Sequence, residues 1–240
     1  MIANPIGWRG SVLALIWLNV TTMCGATGFA VSPVLLEFPA QERSEVMTIT
    51  SAVDQRKAFE VEVLRWRQVD GKDILDATED FLVTPPAFNL AAREVRTLRI
   101  TRTNASPEAD EARYRIVLTE IPLFENHVQR QLNISMKISV PIFVLPIQPL
   151  KPNFNLSLSK DGSGDTYAIT LTNVGNTHAK VLIAQPLANG MPFRDPLPLP
   201  GYALPGNQKV WTLKAEDLKD ADQLLVQLPY GVRQTLKIAK

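Results

Sequence analysis

Cysteine is nearly absent from this chain of 240 residues, which contains only Cys24. That residue lies in a hydrophobic N-terminal segment that we interpret below as an export signal, so the mature protein is predicted to contain no cysteine. An exported chain without cysteine cannot hold its fold with disulfides, and each domain must be stabilised by its own hydrophobic core. The same absence excludes catalysis by a thiol nucleophile.

Histidine is also scarce, and few patterns indicate chemistry. The two histidines, His127 and His178, have no carboxylate or cysteine neighbours at the spacing of a metal site, so we expect both on the surface. No glycine-rich loop opens a helix, and no serine lies in a G-x-S-x-G turn. The adjacent acidic residues at 79–80 and 216–217 are typical of solvated loops. The sequence therefore predicts no metal, no cofactor and no catalytic residue.

Neither sign of charge is in excess, because 25 basic residues balance 24 acidic ones and the formal net charge is +1. A protein that binds nucleic acid through its phosphates normally carries a clustered basic surplus, and so does a protein held on an anionic membrane. The composition therefore predicts a partner that is recognised locally, with no nucleic acid and no stable membrane insertion.

The N-terminal residues have the layout of a secretory signal peptide. Arg9 precedes an apolar run over residues 11–20, and small residues follow as far as Ala30. We therefore predict a signal peptide over residues 1–30, with cleavage after Ala30, and an exported mature protein. The alternative is an uncleaved anchor, but the strongly apolar run is too short to span a bilayer comfortably.

From residue 31 onward the chain reads as short strands separated by turns, which predicts an all-β fold. The segment 59–69 alternates apolar and polar residues and ends at Asp70-Gly71, a pair typical of tight hairpins. Pro85 and Pro86 cannot donate ladder hydrogen bonds, so we expect them at a sheet edge or where a strand changes sheets.

A second series of strands begins after residues 145–153, a stretch with three prolines that is expected to be stiff and extended. Many short strands with Gly, Pro and Asn turns are typical of β-sandwiches. We therefore predict two sandwich domains in series, over residues 31–148 and 149–240. One helical turn is expected within 215–222.

One predicted strand carries an apolar residue at every second position. The alternating residues of the segment 132–146 are Leu132, Ile134, Met136, Ile138, Val140 and Ile142. Successive side chains of a strand point to opposite faces, so these residues form one apolar stripe opposite a polar face that contains Lys137. The stripe either packs inside its own domain or is left open for another chain. The polar segment 124–131 ahead of it favours an open surface for 132–136, with 140 and 142 toward the core.

The order and spacing of several segments resemble the PapD-like periplasmic chaperones of the chaperone–usher pathway. The matching segments are AVSPVLLEF (30–38), RWRQVDGKDIL (65–75), DFLVTPPAFNL (80–90), VRTLRITR (95–102), YRIVLTEIP (114–122) and ISVPIFVLP (138–146). The later segment ITLTNVGNTHA (169–179) is similar to the archaic branch of that family. The resemblance covers essentially the whole mature chain.

This resemblance implies two immunoglobulin-like domains in a boomerang arrangement and a periplasmic, non-enzymatic chaperone. Its partners would be pilus subunits, whose fold it completes by donating a strand, and an outer-membrane usher that receives them. The donor residues would be Leu132, Ile134, Met136, Ile138 and Val140. Two other classes of protein stay open from the residues alone: a pilus or adhesin subunit, and a secreted β-sandwich enzyme or sugar-binding module.

The basic residues that hold the subunit's terminal carboxylate in this family are missing from the matching positions. Leu35 stands where an arginine is expected, and Pro141 stands where a lysine is expected. The resemblance then leaves Lys137, on the same strand face as Pro141, and Arg99 as anchoring candidates. The alternative role for Arg99 is an ion pair with Glu120 that fixes strand packing.

The interdomain ion network of the family is also incomplete in this sequence. Glu120 is retained as a structural residue, but Leu145 and Pro229 align with its usual basic and acidic partners. The orientation of the two domains is therefore expected to depend more on apolar and proline contacts.

Overall fold

The computed structural model describes residues 28–103, 110–122 and 135–238. Its strands are β1 Phe29–Ser32, β2 Leu36–Phe38, β3 Ser44–Ser51, β4 Lys57–Val69, β5 Lys72–Ala77, β6 Phe81–Thr84, β7 Ala87–Leu90, β8 Val95–Arg102, β9 Ala112–Ile121, β10 Lys137–Val144, β11 Phe154–Lys160, β12 Thr166–Asn173, β13 Ile183–Ala188, β14 Met191–Pro192, β15 Gln208–Lys214, β16 Gln223–Gln227 and β17 Arg233–Lys237. Short 3₁₀ turns lie at Ala215–Leu218 and Pro229–Gly231. No helix in these ranges is long and apolar enough to cross a membrane.

The first domain is a sandwich of two sheets. One sheet has the strand order β1-β3-β8-β6, and the other has the order β2-β10-β9-β4-β5, with β7 also paired to β4. Alternate residues of both sheets point inward, so Met47, Phe59 and Ile116 are buried between them. All the buried residues of this core lie between Leu36 and Val144.

The second domain is a sandwich with a separate core. Its sheets have the strand orders β11-β12-β15 and β14-β13-β16-β17. The buried residues of its core lie between Phe154 and Ile238. Two cores confirm the prediction of an all-β chain with two sandwiches in series. The domain boundary between residues 148 and 149 stays a prediction. It lies in a segment whose residues belong to neither core.

Two features predicted from local sequence, the hairpin at Asp70-Gly71 and the change of sheet at Pro85 and Pro86, are confirmed. Asp70 and Gly71 have φ angles of 51° and 74°, and they join β4 to β5, which pair in register up to the turn. Positive φ at both central residues is what a tight type I′ hairpin needs, and glycine adopts it without steric cost. The chain changes sheets at Pro85 and Pro86, because β6 before them pairs with β8 and β7 after them pairs with β4.

Strand β1 includes the last two residues of the predicted signal peptide. Phe29 and Ala30 both pair with β3, and the Phe29 ring packs edge-on against Phe59 with 4.9 Å between ring centroids. Cleavage after Ala30 would remove this aromatic contact and half of β1. We therefore expect processing N-terminal to Phe29, whereas residues 1–27 lie outside the described part of the chain.

A third apolar cluster lies where the two domains meet. Trp66 of β4 and Phe143 of β10 are buried against Leu204 of the second domain, with Leu35 and Tyr202 packed around them. The Tyr202 ring stands edge-on to the indole of Trp66, with 5.5 Å between ring centroids. The outer face of the β10-β9-β4 sheet is therefore an interdomain surface at this end.

Candidate functional site

Strand β10 is covered along one edge and half covered along the other. Residues 137–144 all pair with β9 on the inner edge. On the outer edge, β2 pairs only with residues 142–144. Within the described ranges, no strand pairs with the outer edge of residues 137–141. An unpaired edge presents N–H and C=O groups to which another extended chain can add.

The apolar stripe of this strand changes from buried to exposed toward its N-terminal end. Ile142 and Val144 are buried in the first core, and Val140 is 3% exposed there. Ile138 is only partly buried against the same core. Met136, just before the strand, is 36% exposed. The core therefore ends near Ile138, and the stripe continues beyond it.

The predicted set of donor residues is corrected at one position. Val140 fills space between the two sheets of its own domain and has no surface to offer another chain. Met136 and Ile138 keep accessible surface and stay predicted donor residues. Leu132 and Ile134 lie outside the described residues, so their role also stays a prediction.

Glu120 of β9 binds the residues that come just before β10. Its carboxylate accepts a hydrogen bond from the Lys57 ammonium at 2.7 Å through Oε1 and from the backbone N–H of Met136 at 3.1 Å through Oε2. Its backbone carbonyl accepts a hydrogen bond from the Ser135 hydroxyl at 2.6 Å. Residues 135–136 are thereby held against β9, which supports the structural role predicted for Glu120.

The two predicted anchoring residues lie on different sheets. Lys137 is exposed at the start of β10, opposite Thr119 in register. Arg99 is exposed on β8 in the other sheet, where its Nη1 lies 3.4 Å from the Ser44 hydroxyl. The structure does not bring Lys137 and Arg99 together. The ion pair considered between Arg99 and Glu120 is not formed, because Glu120 pairs with Lys57.

A basic residue absent from the sequence predictions lies beside Pro141. Arg115 of β9 is the cross-strand partner of Pro141, so the two side chains share one face of the sheet. The guanidinium carbon lies 3.8 Å from the centroid of the Trp66 indole and 5.7 Å from that of the Tyr202 ring. Burial lowers the pKa of the Arg115 guanidinium. The group nevertheless stays charged at neutral pH, because arginine is the strongest base among the side chains.

A buried polar cluster also joins the domains. Glu111, wholly buried just before β9, accepts hydrogen bonds from the backbone N–H of His178 and from the Thr177 hydroxyl, both at 2.9 Å. Its Oε2 lies 2.8 Å from Nδ1 of His178. The His178 ring, expected on the surface, is buried and stacks on Phe143 with 3.6 Å between centroids. A buried carboxylate needs such donors, and here the other domain supplies them.

The loop over residues 173–179, which resembles the archaic branch, also holds the linker between the domains. Asn176 Oδ1 accepts a hydrogen bond from the Lys151 backbone N–H at 2.6 Å, and its Nδ2 donates to the Pro149 carbonyl at 3.2 Å. A Cβ on Gly175 would lie 2.4 Å from the Lys151 carbonyl oxygen, so only glycine fits. Domain orientation thus depends on polar contacts as well as apolar ones, and these polar contacts were not predicted from the sequence.

The sequence matches the model of a known family. Residues 28–149 match the model of the family described as "Pili and flagellar-assembly chaperone, PapD N-terminal domain". The matched range is about half of the chain and contains strands β1 to β10. No protein of curated function matches the sequence.

Solved structures with a similar fold cover nearly the whole chain. A chain of the CsuC–CsuE chaperone–tip adhesion subunit pre-assembly complex from the archaic Csu pili of Acinetobacter baumannii has 18% identity and a TM-score of 0.61, over 89% of this chain and 100% of that one. The E. coli chaperone DraB has 19% identity and a TM-score of 0.57, over 89% and 98%. A chain of the Salmonella enterica SafA pilin–SafB chaperone complex has 16% identity and a TM-score of 0.56, over 89% and 96%. These similarities support the fold of two immunoglobulin-like sandwiches.

Proposed function

Because the chain belongs to the pilus and flagellar-assembly chaperone family that carries a PapD N-terminal domain, we propose that it is a periplasmic chaperone that completes the fold of pilus subunits by donating a strand. The unpaired outer edge of β10 is the observation that carries this proposal. In this role the chaperone binds a subunit after export and delivers it to an outer-membrane usher.

The outer edge of β10 supplies the main-chain part of the interaction. Residues 137–140 have N–H and C=O groups on a strand whose inner edge is already held by β9. Pro141, which has no N–H, separates this stretch from the part that β2 covers. A subunit that lacks one strand of its sandwich has a matching unpaired edge, and pairing the two edges hides a surface that would otherwise aggregate.

The apolar stripe supplies the side-chain part. We propose that Met136 and Ile138 insert into the open groove of the subunit, and that Leu132 and Ile134 continue the same spacing. Burial of each such side chain contributes roughly 1.5–3 kcal/mol. The flexible thioether of Met136 suits a chaperone that must fit grooves of slightly different shape.

The test is capture of a subunit by charged variants. Met136→Asp places an unpaired carboxylate in an apolar groove and is expected to lower the yield of soluble complex at least about tenfold on co-expression with a pilus subunit of the same organism. The control is Val46→Asp, at a residue of the other sheet that is 44% exposed. Both variants should melt within a few degrees of the wild type, because both side chains already reach solvent.

The result also separates the two possible roles of the stripe. Normal capture by Met136→Asp would place the binding surface elsewhere and contradict the proposal. Leu132→Asp and Ile134→Asp should reproduce the loss of capture if the donor stretch extends as far as the predicted stripe. A loss shared by Val46→Asp would mean that charge on the first domain, rather than the β10 edge, controls the yield.

A further inference from the structure

The pairing of β9 with β10 ends irregularly at Glu120. The last regular pair of the two strands is Thr119 with Lys137. Glu120 and Met136 come next, and one backbone bond of a regular pair is present, from the Glu120 N–H to the Met136 carbonyl at 2.9 Å. The Met136 N–H donates to the carboxylate of Glu120 at 3.1 Å instead of to its carbonyl. The carboxylate therefore replaces the bond that would continue the ladder.

The backbone carbonyl of Glu120 is bound by a side chain. The Ser135 hydroxyl donates to it at 2.6 Å, where a regular ladder would use a backbone N–H. Glu120 thus holds Ser135 and Met136 through its N–H, its carbonyl and its carboxylate together. These two residues directly follow the predicted donor residues Leu132 and Ile134 in the sequence. The point at which the donor segment joins the first domain is therefore fixed by Glu120.

Lys57 of β4 orients the carboxylate. Its ammonium binds Oε1 at 2.7 Å, which leaves Oε2 for the Met136 N–H. The Glu120 side chain is only 7% exposed, and that of Lys57 is 29% exposed. A carboxylate that is this buried needs donors for both oxygens, and hydrogen bonds to a charged acceptor are stronger than those between neutral groups. The contact with Met136 is therefore part of a fully used acceptor.

The position of this contact connects it to strand donation. Met136 belongs to the exposed part of the stripe and comes directly before the open edge of β10. A segment that is held in place before its partner arrives loses less conformational entropy on binding. We propose that Glu120 is a positioning residue for subunit capture, which ends the β9–β10 ladder and holds Met136 in place for the groove of the subunit. This inference rests on the proposed function.

A purely structural ion pair is the alternative role of Glu120, and three variants distinguish the two roles. Glu120→Ala removes both the ion pair and the acceptor of the Met136 N–H. Lys57→Met removes the ion pair and keeps the carboxylate. The double variant Glu120→Gln/Lys57→Met also lacks the ion pair, but the amide oxygen of glutamine can still accept the Met136 N–H. If Glu120 acts through Met136, only Glu120→Ala should impair capture.

Two measurements are made on each variant. The yield of soluble complex on co-expression with a pilus subunit of the same organism reports capture. Hydrogen exchange of the Met136 amide in the free protein, followed by NMR, reports the contact with Glu120. Glu120→Ala should speed this exchange and lower capture about tenfold, as expected for the loss of one hydrogen bond to a charged group. The other two variants should keep slow exchange and most of the wild-type yield.

The matched control is Glu94→Ala. The Glu94 carboxylate also binds one cation and one backbone N–H, those of Arg96 and Ala91, but it lies between β7 and β8. This variant should capture subunits normally. Thermal melts of all variants give the temperature range in which each is folded, and capture is compared within that range.

Normal capture by Glu120→Ala, while Met136→Asp fails to capture, would overturn the positioning role and leave strand donation standing. Slow exchange of the Met136 amide in Glu120→Ala would also overturn it, because the carboxylate would then not hold this N–H. A loss of capture in Lys57→Met equal to that in Glu120→Ala, with the amide still protected, would assign the effect to the ion pair instead. If neither Glu120→Ala nor Met136→Asp impairs capture, β10 is not the binding strand and both proposals fall.

Discussion

The two halves of β10 share one apolar stripe, but they differ on the opposite face and in their surroundings, because Lys137 and Ser139 stand where the other half has Pro141 and Phe143. Residues 142–144 are paired on both edges and buried on both faces, by the first core on one side and by His178 and the interdomain cluster on the other. Residues 137–139 are paired on one edge and largely exposed. The strand is thus a single element with a covered half and a half whose outer edge is unpaired within the described residues, and Pro141 lies at the boundary.

The largest expected effect lies in the covered half. Ile142→Ala removes a wholly buried side chain from the first core and should lower the free energy of unfolding by about 2–5 kcal/mol. Met136→Ala is the matched change in the exposed half and should cost less than about 0.5 kcal/mol. Urea denaturation measures both values. Equal losses at the two positions would show that the halves do not differ as described.

The covered half of β10 also contacts the second domain, because the ring of His178 stacks on Phe143. Glu111→Gln would leave at least one donor of His178 or Thr177 without its carboxylate acceptor. Loss of one such buried hydrogen bond costs about 1–3 kcal/mol. The expected result is lower stability, together with a change in the NMR ring-current shifts of the stacked His178 imidazole.

The control for this change is Glu62→Gln, at an exposed position on β4 of the same domain. It should leave both the stability and the His178 signals unchanged. If Glu111→Gln were equally silent, the buried polar cluster would not contribute to holding the domains together, and the apolar cluster around Trp66 would suffice.

The sequence predicted features whose cause is local and missed those that depend on register. The Asp70-Gly71 hairpin was predictable because positive φ is a property of the turn residues themselves. The alternation of β10 predicted a strand with an apolar stripe. The polar segment ahead of the stripe also indicated an open surface at 136 and burial at 140, as the exposed fractions of Met136 and Val140 show, whereas the donor set implied by the family resemblance included Val140.

The missed residues are those whose partners lie far away along the chain. His178 was expected on the surface because no carboxylate is near it in sequence, but Glu111 reaches it from 67 residues away. The position of Arg115 opposite Pro141 follows only from the β9–β10 register. To find Arg115 from the sequence, one would have had to predict which residues of β9 and β10 lie opposite each other.

The smallest expected effect is that of Lys137→Ala, in the exposed half of β10. Lys137 makes no ion pair with the described residues, so the stability of the free chaperone should not change. If the ammonium contacts an acidic group of the bound subunit, its loss should weaken capture by about two- to fivefold, which is typical of a solvent-exposed ion pair. Because salt screens such a pair, the difference in capture between Lys137→Ala and the wild type should shrink between low salt and about 0.5 M salt.

The control is Lys72→Ala, on the opposite edge strand of the same sheet, which should capture subunits normally. A tenfold or larger loss that persists in high salt would instead identify Lys137 as a desolvated anchor.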